Sequence, residues 1–170
     1  MGVPNINPLY KTLLEYIPSK NPQHEKVELI DNQNKICGEI KFKNVSPELW
    51  GAFFERYVGS IYENRGYKVE YRGIEKGFFD GGIDLICLKS DECKILVQCK
   101  FGSSNLGKKK IEQILFKAGE TIFREFKNEK LKFVLALSDD MRITQINEKR
   151  LLRYNSIQSD VHFRIDKFAF

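Results

Sequence analysis

Asp84, Gln98 and Lys100 are polar residues standing where two apolar strands call for core side chains. The runs Ile83 to Leu88 and Lys94 to Lys100 flank a short polar segment, Lys89 to Cys93, that would close a hairpin. Side chains alternate faces along a strand, so Ile95, Val97 and Cys99 share one face and Leu96, Gln98 and Lys100 the other. Asp84 goes with Ile86 and Leu88. If the hairpin turns about Asp91, position 84 lies opposite 98, and three polar groups converge at one end of a mostly apolar face. Leaving a neutral polar group buried without a partner costs about 2 to 7 kcal/mol, and a charge costs more. A carboxylate, an amide oxygen and a nearby backbone carbonyl are hard ligands suited to Mg²⁺. A lysine two residues after the amide could orient a water or stabilise developing charge. The set suits phosphodiester hydrolysis, although on spacing alone a partly exposed structural pair of Asp84 and Lys100 fits equally well.

Other elements must position these residues. SPELWGAFFERYVGSIYENRGY reads as a helix with Ser46 as N-cap, Pro47 at its first position, an apolar stripe from Trp50 to Tyr62 and Gly66 as its stop. Glu55 lies at the margin of that stripe, where it could reach inward or stay solvated. Residues 66–73 read as a strand and 74–82 as a glycine-bearing loop leading into the hairpin. After FGSSNLG, the apolar residues Ile111, Ile114, Leu115, Ala118, Ile122 and Phe126 predict a helix ending near Lys127. Lys108, Lys109 and Lys110 stand in its first turn, where they oppose the helix dipole unless an anion docks there. LKFVLALS reads as a buried strand, MRITQINEKRLLRY as a helix and VHFRIDKFAF as a last strand. In residues 1–45 a short helix within NPLYKTLLEYI and two strands around Asn32 to Asn34 are expected.

The chain has 170 residues, a length that suits one ordinary domain with a small appendage. No apolar run approaches the length of a membrane span and no secretion leader is evident, so a cytoplasmic protein is expected. Cys37, Cys87, Cys93 and Cys99 contain no C-x-x-C pair and read as reduced thiols. With His24 and His162 far apart, neither a zinc site nor a histidine triad is supported. The formal net charge is +5, and residues 100–132, with 9 basic and 4 acidic groups, hold all of that excess. A positive surface beside the polar cluster suits a polyanion such as DNA; the plain alternative is a solvated helix face.

Glu55 in a helix, Gly66 and Tyr67 opening the next strand, DGGIDL at 80–85 and VQCK at 97–100 together resemble the Mrr-type restriction endonuclease branch of the PD-(D/E)xK nucleases. The likeness extends over about residues 47–137. It implies an α/β fold with a three-layer restriction-endonuclease-like core, in which a central mixed β-sheet is flanked by helices. It also implies a metal-dependent DNA endonuclease using Mg²⁺, with Mn²⁺ as a substitute. By that resemblance Asp84 is the central ligand, and Gln98 and the Cys99 carbonyl complete the protein side. Lys100 positions the attacking water, and Glu55 holds the ion or its water. Lys108 to Lys110 and Gln113 are expected on DNA, and Asp80 is read as a loop residue. Two departures from the superfamily pattern are Ile83 for proline and Gln98 for an acid. The domain division expected is 1–45 as an N-terminal appendage and 46–170 as the nuclease domain. The competing readings are a DNA-binding or partner-binding module that keeps the fold without cutting, and a structure-specific nuclease on branched DNA. Cutting both strands would favour a homodimer, and with no helix-turn-helix or zinc module evident, sequence reading would call for a separate specificity partner.

Overall fold

The computed structural model describes residues 8–76, 81–144 and 161–170. Its centre is a five-stranded mixed sheet formed by β4 (Lys68–Tyr71), β5 (Leu85–Leu88), β6 (Lys94–Lys100), β8 (Leu131–Ser138) and β10 (Val161–Phe168). The order across the sheet is β10-β8-β6-β5-β4. β10, β8 and β6 run parallel, while β6, β5 and β4 are antiparallel neighbours. α2 (Pro47–Asn64) covers one face and α4 (Lys108–Glu125) the other, which is the three-layer α/β core that the resemblance implies. Ile95, Val97 and Cys99 enter the core under α2, while Ile86 and Leu96 enter the core under α4. Leu85 pairs with Val97 and Cys87 with Ile95, a register centred on Asp91, whose φ of 62° makes the turn.

The two helices differ. α2 starts where Ser46 accepts a hydrogen bond from the Leu49 amide (3.1 Å), with Pro47 behind it, and Gly66 (φ 90°) follows its end. Phe54, Val58 and Tyr62 face the central sheet. Leu49, Ala52 and Phe53 instead face a second, three-stranded sheet of β1 (Ile17–Asn21), β2 (Lys26–Ile30) and β3 (Ile36–Lys41). Burying a large apolar side chain contributes about 1.5–3 kcal/mol, so Phe53 and Phe54, both fully buried, tie the helix to two layers at once. Buried Arg56 adds a third tie, donating from Nε to the carbonyls of Leu13 and Tyr16 (both 3.0 Å) beside α1 (Pro8–Leu13). α4 is one-sided: Ile111, Ile114 and Ala118 are buried, whereas Phe116 and Phe123 are exposed.

Several expectations are corrected. β1 is an addition to the expected elements, because IPSKN lacks alternation and contains Pro18, which an edge strand tolerates. Residues expected as the end of a strand and the start of a loop instead form α3 (Arg72–Lys76). Burial of Arg72 and Ile74 and an ion pair from Arg72 to Glu125 on α4 (2.6 Å) hold this short helix, none of which a local pattern reveals. Arg142–Ile143, expected in a helix, form β9, paired in parallel with β7 (Asn105–Leu106). The rest of that expected helix beyond residue 144, like Asp80, lies outside the described residues. Ile83 and Asp84 precede β5 rather than continuing it. Among the described residues no helix is long and apolar enough to cross a membrane.

Candidate functional site

The open end of the β5–β6 hairpin gathers the polar groups. One step beyond the Leu85–Val97 pair, Asp84 falls beside Gln98, and its own amide donates to the Val97 carbonyl (2.8 Å). Strict alternation places Asp84, Gln98 and Lys100 on one face; the structure departs from that. Ile83 joins the same core as Ile86, so alternation breaks just before β5. The cause is local: Gly81 and Gly82 adopt φ of 71° and 77°, a conformation costly for other residues, as the chain crosses α4. Thr121 donates to the Gly81 carbonyl (2.7 Å), and a Cβ on Gly82 would meet Lys117 Cγ at 3.2 Å.

Asp84 is only 3% exposed, and its Oδ2 accepts a hydrogen bond from the Cys99 amide (2.7 Å). Its Oδ1 faces Gly73 at the start of α3, whose amide donates to the Asp84 carbonyl (2.8 Å). Glu55 comes to the same place from α2. A Cβ built on Gly73 would stand 2.6 Å from Glu55 Oε2 and 2.8 Å from Asp84 Oδ1, so the two carboxylates converge over a residue with no side chain. Glu55 thus reaches inward.

Gln98 and Lys100 line a cavity of about 190 Å³ between β6 and α4, together with Gly82, Lys110, Gln113, Ile114 and Lys117. Gln98 is 7% exposed, and its Oε1 is buried with no hydrogen-bond partner among the described residues. Such an orphan costs about 1–3 kcal/mol unless something else satisfies it. Of the three lysines opening α4, Lys110 reaches this cleft, Lys109 is exposed, and Lys108 pairs with Glu112 (3.7 Å) one turn on. Gly73 and Lys117 are the residues that sequence reasoning missed. A glycine inside a helix was a usable signal, but only once α3 is known to be a helix.

The electrostatics agree with two acids in close quarters. Burial pushes the Cys99 thiol well above its ordinary range, Asp84 and Glu55 push it further, and Lys100 opposes them. A divalent ion such as Mg²⁺ takes oxygen ligands, keeps several waters and uses one or two carboxylates from protein. Glu55, Asp84 and the orphaned oxygen of Gln98 fit that donor set. Among the described residues no group of three or more His, Cys, Asp or Glu could hold a metal. The larger cavity, about 630 Å³, opens at the opposite end of the hairpin around Lys89 and Lys94, whose ammonium groups are paired with Glu92 and Glu129.

A family model described as restriction endonuclease, Mrr_cat, matches residues 47–121. The match runs from the first residue of α2 into α4 and so takes in Glu55, Gly73, Asp84, Gln98, Lys100, Lys110, Gln113 and Lys117. No curated protein and no solved structure matches the chain. With its mixed sheet and two flanking helices in place, this span supports an Mrr-type restriction-endonuclease-like family for residues 47–121.

Proposed function

We propose that this protein is a Mg²⁺-dependent DNA endonuclease that hydrolyses phosphodiester bonds in the cytoplasm, with Mn²⁺ able to replace Mg²⁺. The observation that carries the reading is the convergence of Glu55 and Asp84 over Gly73; the buried amide oxygen of Gln98, one step along β6 from Val97, adds an acceptor with no partner among the described residues. Glu55, Asp84, Gln98 and the Cys99 carbonyl would hold the ion. A divalent ion bound there lowers the pKa of water and offsets charge on a phosphoryl group. Lys100, partly buried at the end of β6, orients the attacking water and stabilises developing negative charge from the cleft wall. Lys110, Gln113 and Lys117 line the same cleft and are suited to backbone phosphates, with Lys108 and Lys109 extending the positive edge along α4. Residues 46–170 form the nuclease unit in this reading, and residues 1–45 an appendage to it. A homodimer would serve to cut both strands, with a specificity partner for a defined target.

The second reading is a DNA-binding or partner-binding module that keeps the fold without cutting; the amide at position 98 supplies one negative charge fewer than the acid of the wider superfamily, which leaves Glu55 the more important for metal binding. Incubating the purified chain with plasmid, linear and branched DNA, with and without Mg²⁺ or Mn²⁺, separates the two. Metal-dependent nicking or linearisation is expected. Binding without cleavage on every substrate with both metals establishes the second reading instead, and cleavage of branched DNA alone makes the protein a structure-specific nuclease.

A further inference from the structure

We infer that Gly73 is a positioning residue of the metal site, because its missing side chain is what lets Glu55 and Asp84 turn their carboxylates toward one another. The inference rests on the metal-dependent reading above. A Cβ at position 73 would stand 2.6 Å from Glu55 Oε2, 3.1 Å from Glu55 Cδ and 2.8 Å from Asp84 Oδ1, distances at which one or both carboxylates must move. The backbone of Gly73 has little room to retreat, since its amide donates to the Asp84 carbonyl (2.8 Å). Its neighbours Arg72 and Ile74 are both buried, and Arg72 is held by Glu125 (2.6 Å). The glycine is not demanded by its own backbone. It lies in a helix outside the left-handed region, where alanine is intrinsically favoured over glycine. What it leaves open is the approach of two acids from different layers of the fold, one on α2 and one before β5.

The test is calorimetric titration of Mn²⁺ into wild-type protein, Gly73→Ala and Gly51→Ala, with Mn²⁺ electron paramagnetic resonance as a second readout and melting curves in EDTA. Gly51 is a fitting control, for it is another helical glycine, one turn before Glu55, and a Cβ there meets nothing within 4 Å. Gly73→Ala should melt cooperatively in EDTA and bind Mn²⁺ at least tenfold more weakly, while Gly51→Ala binds as wild type does. Equal affinity in Gly73→Ala and wild type overturns the inference and leaves the metal site standing. Absence of Mn²⁺ binding by wild-type protein instead removes the reading underneath, and the inference with it. Should Gly73→Ala not fold, Glu55→Ala/Asp84→Ala/Gly73→Ala decides against Glu55→Ala/Asp84→Ala: folding of the triple variant shows that the carboxylates were the obstacle, and its failure where the double variant folds makes Gly73 purely structural.

Discussion

The two ends of the β5–β6 hairpin carry similar residue types and treat them in opposite ways. At the turn end, Lys89 meets Glu92 (3.4 Å), Lys94 meets Glu129 (2.9 Å), and Tyr67 donates to Glu92 (2.6 Å), all at partly or fully exposed positions. At the open end, Asp84 and Gln98 are buried, two carboxylates face one another over Gly73, and the Gln98 oxygen has no partner among the described residues. The turn end's charges are paired with one another at exposed positions, whereas the open end buries an acceptor, the Gln98 oxygen, with no partner among the described residues. Exposed pairs contribute little, with a median of about 0–1 kcal/mol, whereas buried polar groups without partners are costly. A protein that keeps such groups in place has a use for what completes them.

The comparison breaks most visibly at Asp84 and Lys100. Asp84→Ala should abolish Mn²⁺ binding and lower single-turnover cleavage of a labelled duplex by about 10³ or more, roughly 4 kcal/mol of barrier. Glu92→Ala at the turn end should leave the rate alone, and equal losses in both would show that the two ends do not differ in role. Lys100→Ala should lower cleavage comparably while Mn²⁺ affinity and melting temperature stay close to wild type. Cleavage that survives both Asp84→Ala and Lys100→Ala would place the chemistry elsewhere.

A smaller effect sharpens the contrast in stability. Gln98→Leu removes an orphaned acceptor, so in EDTA the variant should gain about 1–3 kcal/mol in denaturant unfolding even as it loses metal binding. A clear loss of stability would mean that the amide is already satisfied. Next comes DNA affinity: replacing Lys108, Lys109 and Lys110 by Gln should flatten the salt dependence by about 0.9 for each phosphate no longer neutralised. Lys110→Gln alone should account for much of that, because Lys110 lines the cleft and Lys108 already pairs with Glu112. An unaltered slope would make these lysines an ordinary solvated face. The smallest change belongs to the turn end, where Lys94→Gln should cost less than about 1 kcal/mol and leave cleavage unchanged.

Much of the core was legible in the sequence because the rules that set it are local. Period-two alternation assigned Ile95, Val97 and Cys99 to one face, and a turn centred on Asp91 set position 84 against 98. Ser46, Pro47 and Gly66 bounded α2 because caps act on adjacent backbone groups. Such rules orient a side chain relative to its own element, and they do not say how far apart two elements lie. Only the tertiary structure brought Glu55 inward, since α2 is held between two sheets by Phe53 and Phe54, and only it set Gly73 between Glu55 and Asp84 through a helix that buried neighbours and an ion pair to α4 sustain. The same holds for Lys117, which enters the cleft because α4 crosses β6, an arrangement decided by packing between residues far apart in the chain.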